Sequence, residues 1–370
     1  MAETIQTFDD WIGAFQEWQK EIGFNTDLLG DFKFEAKFQP LEDETIPFGD
    51  YKGQKVWRRY LDIPTSQIRD SLLHLIVYQG DTEFASVEQQ RELLNMAPTE
   101  YDLKSALRIM SEEMRHGWQM CYLMCEYFGE TGRTEAKKQL ERHAYDNNRL
   151  LGSFNQPVDH WIDFFVYTQF VDRDGKYQLK MLSNSAFAPL AESMGPMLKE
   201  ESFHLGTGYS GLQRIVRQGK VPLDVLQRYY NKWVPTAFDL FGKDGSSTAH
   251  WSYVWGIKGR YDERENAEPA VLPRLNAYNR GLYHQEIEDL QRKMNLLIPD
   301  GATPLAIPNE KFNRGIGDYE DHAFTVEGEP IDENDYEDYL KSVLPTQDDK
   351  KLLNELFEQG DWIAPKGAPK

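Results

Sequence analysis

Apolar residues recur at intervals of three and four over four long stretches of the chain, the spacing of helices with one buried face. After Pro64, with Thr65 or Ser66 as cap, the stripe is Ile68, Leu72, Ile76, Gln79, Glu83. Beyond Pro98, with Thr99 as N-cap, it runs Leu103, Ala106, Met110, Glu113, Gly117, Met120, Met124, and Gly129 ends it. The third reads Trp161, Phe165, Thr168, Asp172. The fourth starts near Pro189, a good first-turn residue, and reads Leu190, Met194, Met197, Glu201, His204, Gly208, Leu212, Ile215. Gly195-Pro196 inside it predicts a bend or a break.

Four such helices, with a long charged crossover over 130–157 that is helical from Thr134 to Arg142, predict an all-α four-helix bundle over 58–219. Residues 1–57 form an aromatic, acidic extension in which Trp11, Phe15 and Trp18 keep helical spacing. Residues 220–370 read as a helical and loop extension wrapping the bundle. In it, Pro222 opens a helix that Pro235 closes, 242–275 is loop-rich, and helices follow near 276–297, 333–344 and 346–358.

Each apolar stripe also carries residues that are expensive to bury. Glu113 and His116 stand three apart on one helix face, as do Glu201 and His204. Glu83 and Asp172 precede these pairs by about 30 residues, so one unit is repeated: an acid on a helix, a turn, then Glu-x-x-His. This is the side-chain set of a carboxylate-bridged di-iron or di-manganese centre. Four carboxylates and two imidazoles balance two divalent ions, which removes the cost of burying four acids. The mixed oxygen and nitrogen donors point to iron or manganese, and to iron where dioxygen is the co-substrate. Glu113 and Glu201 suit bridging positions, the shorter Asp172 a terminal one, and Glu83, Glu113 and Glu201 are the carboxylates expected to act in catalysis. Arg115 is a candidate brace for a ligating carboxylate.

Composition narrows the partners. A formal charge of −20 disfavours nucleic acid and anionic membrane surfaces. No apolar run reaches the roughly 20 residues of a membrane span. The start has acidic residues where a signal peptide has basic ones, so a cytoplasmic location is expected. Cys121 and Cys125, four apart on one helix, read as core thiols.

The stretches Ile76-Val-Tyr-Gln-Gly-Asp-Thr-Glu83, Ala85-Ser-Val-Glu-Gln-Gln90 and Asp172-Arg-Asp-Gly-Lys-Tyr-Gln-Leu179 resemble the phenylacetyl-CoA/benzoyl-CoA oxygenase branch of the ferritin-like di-iron proteins. So do Phe312-Asn-Arg-Gly-Ile-Gly317 and Asp361-Trp-Ile-Ala-Pro365, and the similarity is strongest to the benzoyl-CoA epoxidising oxygenase components. The family's six ligands fall on Glu83, Glu113, His116, Asp172, Glu201 and His204. The resemblance implies that two iron ions activate O2, that one oxygen atom is added across a ring bond of an aryl-CoA thioester, and that the other leaves as water. It also implies electrons from NADPH through a separate flavin/iron–sulfur reductase. Gln79 and Phe203 are candidate contacts near the ring. Lys311 and Arg314, and also Lys258 and Arg260, are candidates for the CoA phosphates. The chain departs from the family pattern at Gly117, Gln119 and Ser202-Phe203, which that pattern puts on or beside the metal face.

Two alternatives stand beside this reading. One keeps the metals and changes the substrate to phenylacetyl-CoA or another acyl-CoA. The other is a non-catalytic ferritin-like iron-binding protein, which would assemble into a large cage, where an oxygenase is expected as a monomer or small oligomer.

Overall fold

The computed structural model describes residues 5–367. Among them the regular structure is helical, with only isolated bridges such as Thr45–Lys55 resembling strand pairing. Eleven α-helices run α1 Phe8–Glu21, α2 Ser66–Gln90, α3 Glu100–Tyr127, α4 Gly129–Glu141, α5 Trp161–Leu182, α6 Ala188–Gln218, α7 Leu223–Leu240, α8 Ser247–Val254, α9 Leu275–Asn295, α10 Glu333–Val343 and α11 Gln347–Gln359. α2 packs along α3 and α5 along α6, and the two hairpins meet where α3 faces α6.

Local chemistry sets the ends. Thr65 and Thr99 accept from the amides of Ile68 and Asp102, satisfying donors that a bare helix start leaves free. α5 uses His160, whose ring nitrogen accepts from the Asp163 amide. α3 passes into α4 through Gly129, at φ +58°, and the helices then lie so close that a Cβ on Gly132 would stand 1.9 Å from the Met124 carbonyl oxygen.

One expectation about proline gives way: α7 continues past Pro235 to Leu240, while α6 is unbroken through Pro196. An internal proline costs a helix about 3 kcal/mol. Trp233, Val234, Ala237 and Phe238, all fully buried around Pro235, bury enough apolar surface to outweigh it.

The outer faces of the bundle are covered too. Ile109–Cys121 in α3 and Trp161–Asp174 in α5 are buried at every position, not along one stripe. A helix buried all round needs neighbours on both sides. α1 and α4 flank α3, where the Trp11 indole donates to the Ala136 carbonyl. α7 and α9 flank α5. The tail is tied in by Arg214, which donates to the Ala364 carbonyl and grips Asp102 through both guanidinium arms at 2.6 and 3.0 Å. Trp362 and Ile363 are buried beside it. No helix among the described residues is long and apolar enough to cross a membrane.

Candidate metal centre

The four bundle helices bring the sequence-selected residues together. Glu83, Glu113 and His116 form one group and Glu113, Glu201 and His204 a second, with potential ligand atoms in each within 4.8 Å of one another. Glu113 belongs to both. Glu201 points one oxygen at each histidine, 3.7 Å from His116 Nδ1 and 3.5 Å from His204 Nδ1. Glu83 reaches His116 Nδ1 at 3.3 Å, and Glu113 reaches His204 Nδ1 at 3.1 Å. The imidazole centroids are 6.0 Å apart. Asp172 lies outside these two tight groups but lines the same cavity as Glu83, Glu113 and Glu201.

These residues fit a pair of cations. His116 Nδ1, His204 Nδ1, Asp172 Oδ2 and Glu201 Oε2 are buried and make no hydrogen bond, although charged oxygens and ring nitrogens surround them. Buried polar atoms without partners are costly and rare. Four of them on residues grouped around Glu113 or lining the cavity beside it fit a site for ions. Electrostatics in the metal-free chain agree. Burial and the Glu83 charge push the Glu113 carboxyl up, and burial with Glu113 and Glu201 pushes Asp172 well up. Burial works to lower His116, but the Glu200 and Glu83 carboxylates lift it to about 9. The folded chain thus keeps protons where divalent ions would otherwise neutralise the charge.

Both histidines are oriented from behind by a glutamate of the opposite hairpin. His116 Nε2 lies 2.9 Å from Glu200, and His204 Nε2 lies 3.0 Å from Glu112. Each leaves Nδ1 facing the centre, the carboxylate–histidine arrangement that fixes a ligand's tautomer and raises its basicity. Arg115 is fully buried and donates to Glu200, so it braces the brace; Lys37 reaches the same carboxylate at 3.1 Å. Glu112 is met by Arg108 at 2.9 Å. Sequence reasoning missed Glu112 and Glu200. The signal was there: both motifs carry two successive glutamates, Glu112-Glu113 and Glu200-Glu201, before the histidine.

A cavity of about 250 Å³ opens from Glu83, Glu113, Asp172 and Glu201 along one face each of α2 and α5, walled by Leu75, Leu151, Phe154, Val171 and Leu179. Gln79 lines it and donates to Glu83 at 2.6 Å. Ser86 steadies Glu113 at 3.0 Å. Phe203 is not among its lining residues; its ring stacks under Arg108, 3.9 Å from the guanidinium carbon. Lys311 lies over Phe324, and Arg314 is paired with Asp239 on a second cavity that shares Leu151 and Leu240 with the first. Lys258 is inside the first cavity rather than on a phosphate-facing surface, and Arg260 is buried against Glu263. Gly117 packs where a Cβ would strike the Phe84 ring, and Gln119 bonds Ser193 and the Lys37 amide. Cys121 and Cys125 are free, buried thiols; burial pushes Cys125 up to about 12.

Two helical hairpins presenting this donor set define a ferritin-like carboxylate dimetal protein. Residues 61–311 match the model of a family described as phenylacetic acid catabolic protein. The chain belongs to that family. It is 35% identical to benzoyl-CoA oxygenase component B of Aromatoleum evansii, over 91% of this chain and 82% of that one. It is 25% identical to one of the subunits of the 1,2-phenylacetyl-CoA epoxidase of Escherichia coli (strain K12), over 51% of this chain and 60% of that one.

Proposed function

We propose that this chain is the oxygenase component of a monooxygenase that epoxidises the ring of an aryl-CoA thioester, with benzoyl-CoA, giving 2,3-epoxybenzoyl-CoA, as its substrate. The observation that carries the reading is the largely apolar-walled cavity ending on Glu83, Glu113, Asp172 and Glu201, because such a recess suits a flat, uncharged ring. The names of the two relatives, both oxygenases of aryl-CoA esters, support the same substrate class. We assign Glu83, Glu113, His116, Asp172, Glu201 and His204 as ligands of two iron ions, which would supply O2 reduction and oxygen transfer.

The chain's own residues do the rest. Glu112 and Glu200 hold each imidazole with Nδ1 inward. Gln79 and Ser86 fix Glu83 and Glu113 by hydrogen bonds, so these carboxylates are set before substrate enters. Leu75, Phe154, Val171 and Leu179 exclude water from the ring, which strengthens every charge interaction at the cavity floor. In this reading 58–219 carries the chemistry, the described parts of 1–57 and 220–370 cover it, and the CoA arm leaves toward the second cavity, where Arg314, Lys232 and Lys350 lie. Electrons would come from NADPH through a separate flavin/iron–sulfur reductase.

The test is turnover of benzoyl-CoA by the iron-loaded protein with such a reductase, NADPH and oxygen-18 gas, followed by mass spectrometry of the acyl-CoA pool. One labelled oxygen in the product is expected. An unchanged mass, with iron content and reduction verified, would rule out benzoyl-CoA and move the trial to phenylacetyl-CoA.

A further inference from the structure

Lys258 is a charged side chain that the ligand assignment does not use. It lies just after α8, where the Gly259 amide donates to the Met181 carbonyl at 3.2 Å and so ties this segment to the end of α5. Its side chain lines the cavity beside the carboxylates' apolar vestibule. The ammonium makes one hydrogen bond among the described residues, to Gln178 Oε1 at 2.5 Å, and Gln178 in turn donates to Asp174 at 2.9 Å. An ammonium has three donors, so Lys258 can meet a further acceptor in the cavity, which the Asp174 carboxylate also lines. Along the same face of α5, one turn nearer the carboxylates, stands Gly175. It too lines the cavity, and a Cβ built on it would meet nothing within 4 Å. Glycine in mid-helix is unfavourable, so open space at this position has a structural cost and calls for a use. From Asp172 to Gln178 the helix rises about 9 Å. That is the span of an aromatic ring resting against the carboxylates with its acyl carbon at the far end.

We propose that Lys258 donates a hydrogen bond to the thioester carbonyl of the substrate, while the ring lies over Gly175 between that ammonium and the metal carboxylates. This rests on the aryl-CoA reading above and deepens it. A ring pinned through its carbonyl cannot slide or rotate freely, so one edge of it is held toward Glu113 and Glu201. Lys258 then selects acyl thioesters over other CoA conjugates, and Gly175 sets the width available to the ring.

The experiment is calorimetric titration of the iron-loaded protein, without reductant, by benzoyl-CoA and by S-benzyl-CoA, which carries the same ring on a CH2 in place of the carbonyl. The wild type should bind the thioester about 10- to 100-fold more tightly, the worth of one hydrogen bond from a charged donor. Lys258→Met should bind both equally, at the thioether's affinity. The carbonyl stretch of 13C-labelled benzoyl-CoA should move to lower wavenumber in the wild type and not in Lys258→Met. Lys258→Leu, which also lacks a donor, takes over the comparison if the methionine variant does not fold. Gly175→Leu, which improves helix propensity, should weaken both ligands. Equal binding of the two ligands by the wild type, or discrimination that survives in Lys258→Met, would overturn the role of Lys258 and leave the aryl-CoA reading standing. Undiminished binding by Gly175→Leu would overturn the ring position. Failure of the wild type to bind either ligand would remove the aryl-CoA reading and this one together.

Discussion

His116 is held through Glu200, a carboxylate wedged between the fully buried Arg115 and Lys37. His204 is held through Glu112, whose partner Arg108 is 52% exposed. The supporting acids differ as well: Glu83 is fixed by Gln79, whereas Asp172 keeps Oδ2 without a partner and borders the cavity. The two halves of the repeat therefore supply matching donors but not matching support. The cause lies outside the repeat. The segment around Lys37 runs over α6 and closes the back of the Glu200 side, and nothing equivalent among the described residues covers Arg108. The comparison teaches that a duplicated donor set can be tuned one site at a time by what is packed behind it.

Removing Glu113 should give the largest effect and test the premise that both sites share it. Glu113→Ala is expected to abolish turnover and to lower bound iron below two ions per chain by elemental analysis. Full metal content in that variant would break the shared-carboxylate geometry. The outer glutamates come next. Each should cost about 10- to 100-fold in metal affinity when changed to glutamine. Glu200→Gln should sit near the upper end, because it strands the buried Arg115, and Glu112→Gln near the lower, because Arg108 can turn to water. Chelator competition measures both, and equal losses would contradict the asymmetry.

The arginines sharpen the same contrast in stability. Arg115→Met breaks a buried pair and should cost about 3–5 kcal/mol in denaturant unfolding. Arg108→Ala should cost no more than about 1 kcal/mol, as expected for an exposed pair. A smaller and more gradual effect concerns pH in the metal-free protein. Burial opposes the His116 charge, but Glu200 and Glu83 raise its pKa to about 9, above its ordinary value of 6.5. Its contribution is then complete below pH 6.5 and is lost as pH climbs through 9. Glu113 and Asp172, raised by burial, act with the same sign, since the folded chain holds more protons than the unfolded one. The melting temperature of the apo protein should fall between pH 6.5 and 9, and that of the iron-loaded protein should change less. A melting temperature of the apo protein that rises over this interval would show that the site does not retain those protons.

Much of this was legible in the chain because it is local. Thr65 and Thr99 announce helix starts, Gly219 ends α6 at φ +66°, and intervals of three and four put Glu113 beside His116 and Glu201 beside His204. Charge at those apolar positions needs a counter-charge whatever the topology, so the candidate ligand set follows from sequence and electrostatics. What escaped depends on contacts between residues far apart. Glu112 and Glu200 stand one step off the stripe, and it is the packing of α3, α6 and the Lys37 segment that buries Glu112 and largely covers Glu200. Pro235 reads as a helix end until the packing around Phe238 overrides its cost. Phe203 stands next to His204 in sequence, but helix rotation turns it onto Arg108. Lys258 reads as a loop charge and is carried into the cavity by the tie between Gly259 and α5. Sequence by itself determined the helices, the two Glu-x-x-His pairs and the acids that accompany them, since these rest on periodicity and charge. Tertiary structure alone decided which side chains stand behind the histidines and which line the cavity, since both depend on how separate helices pack.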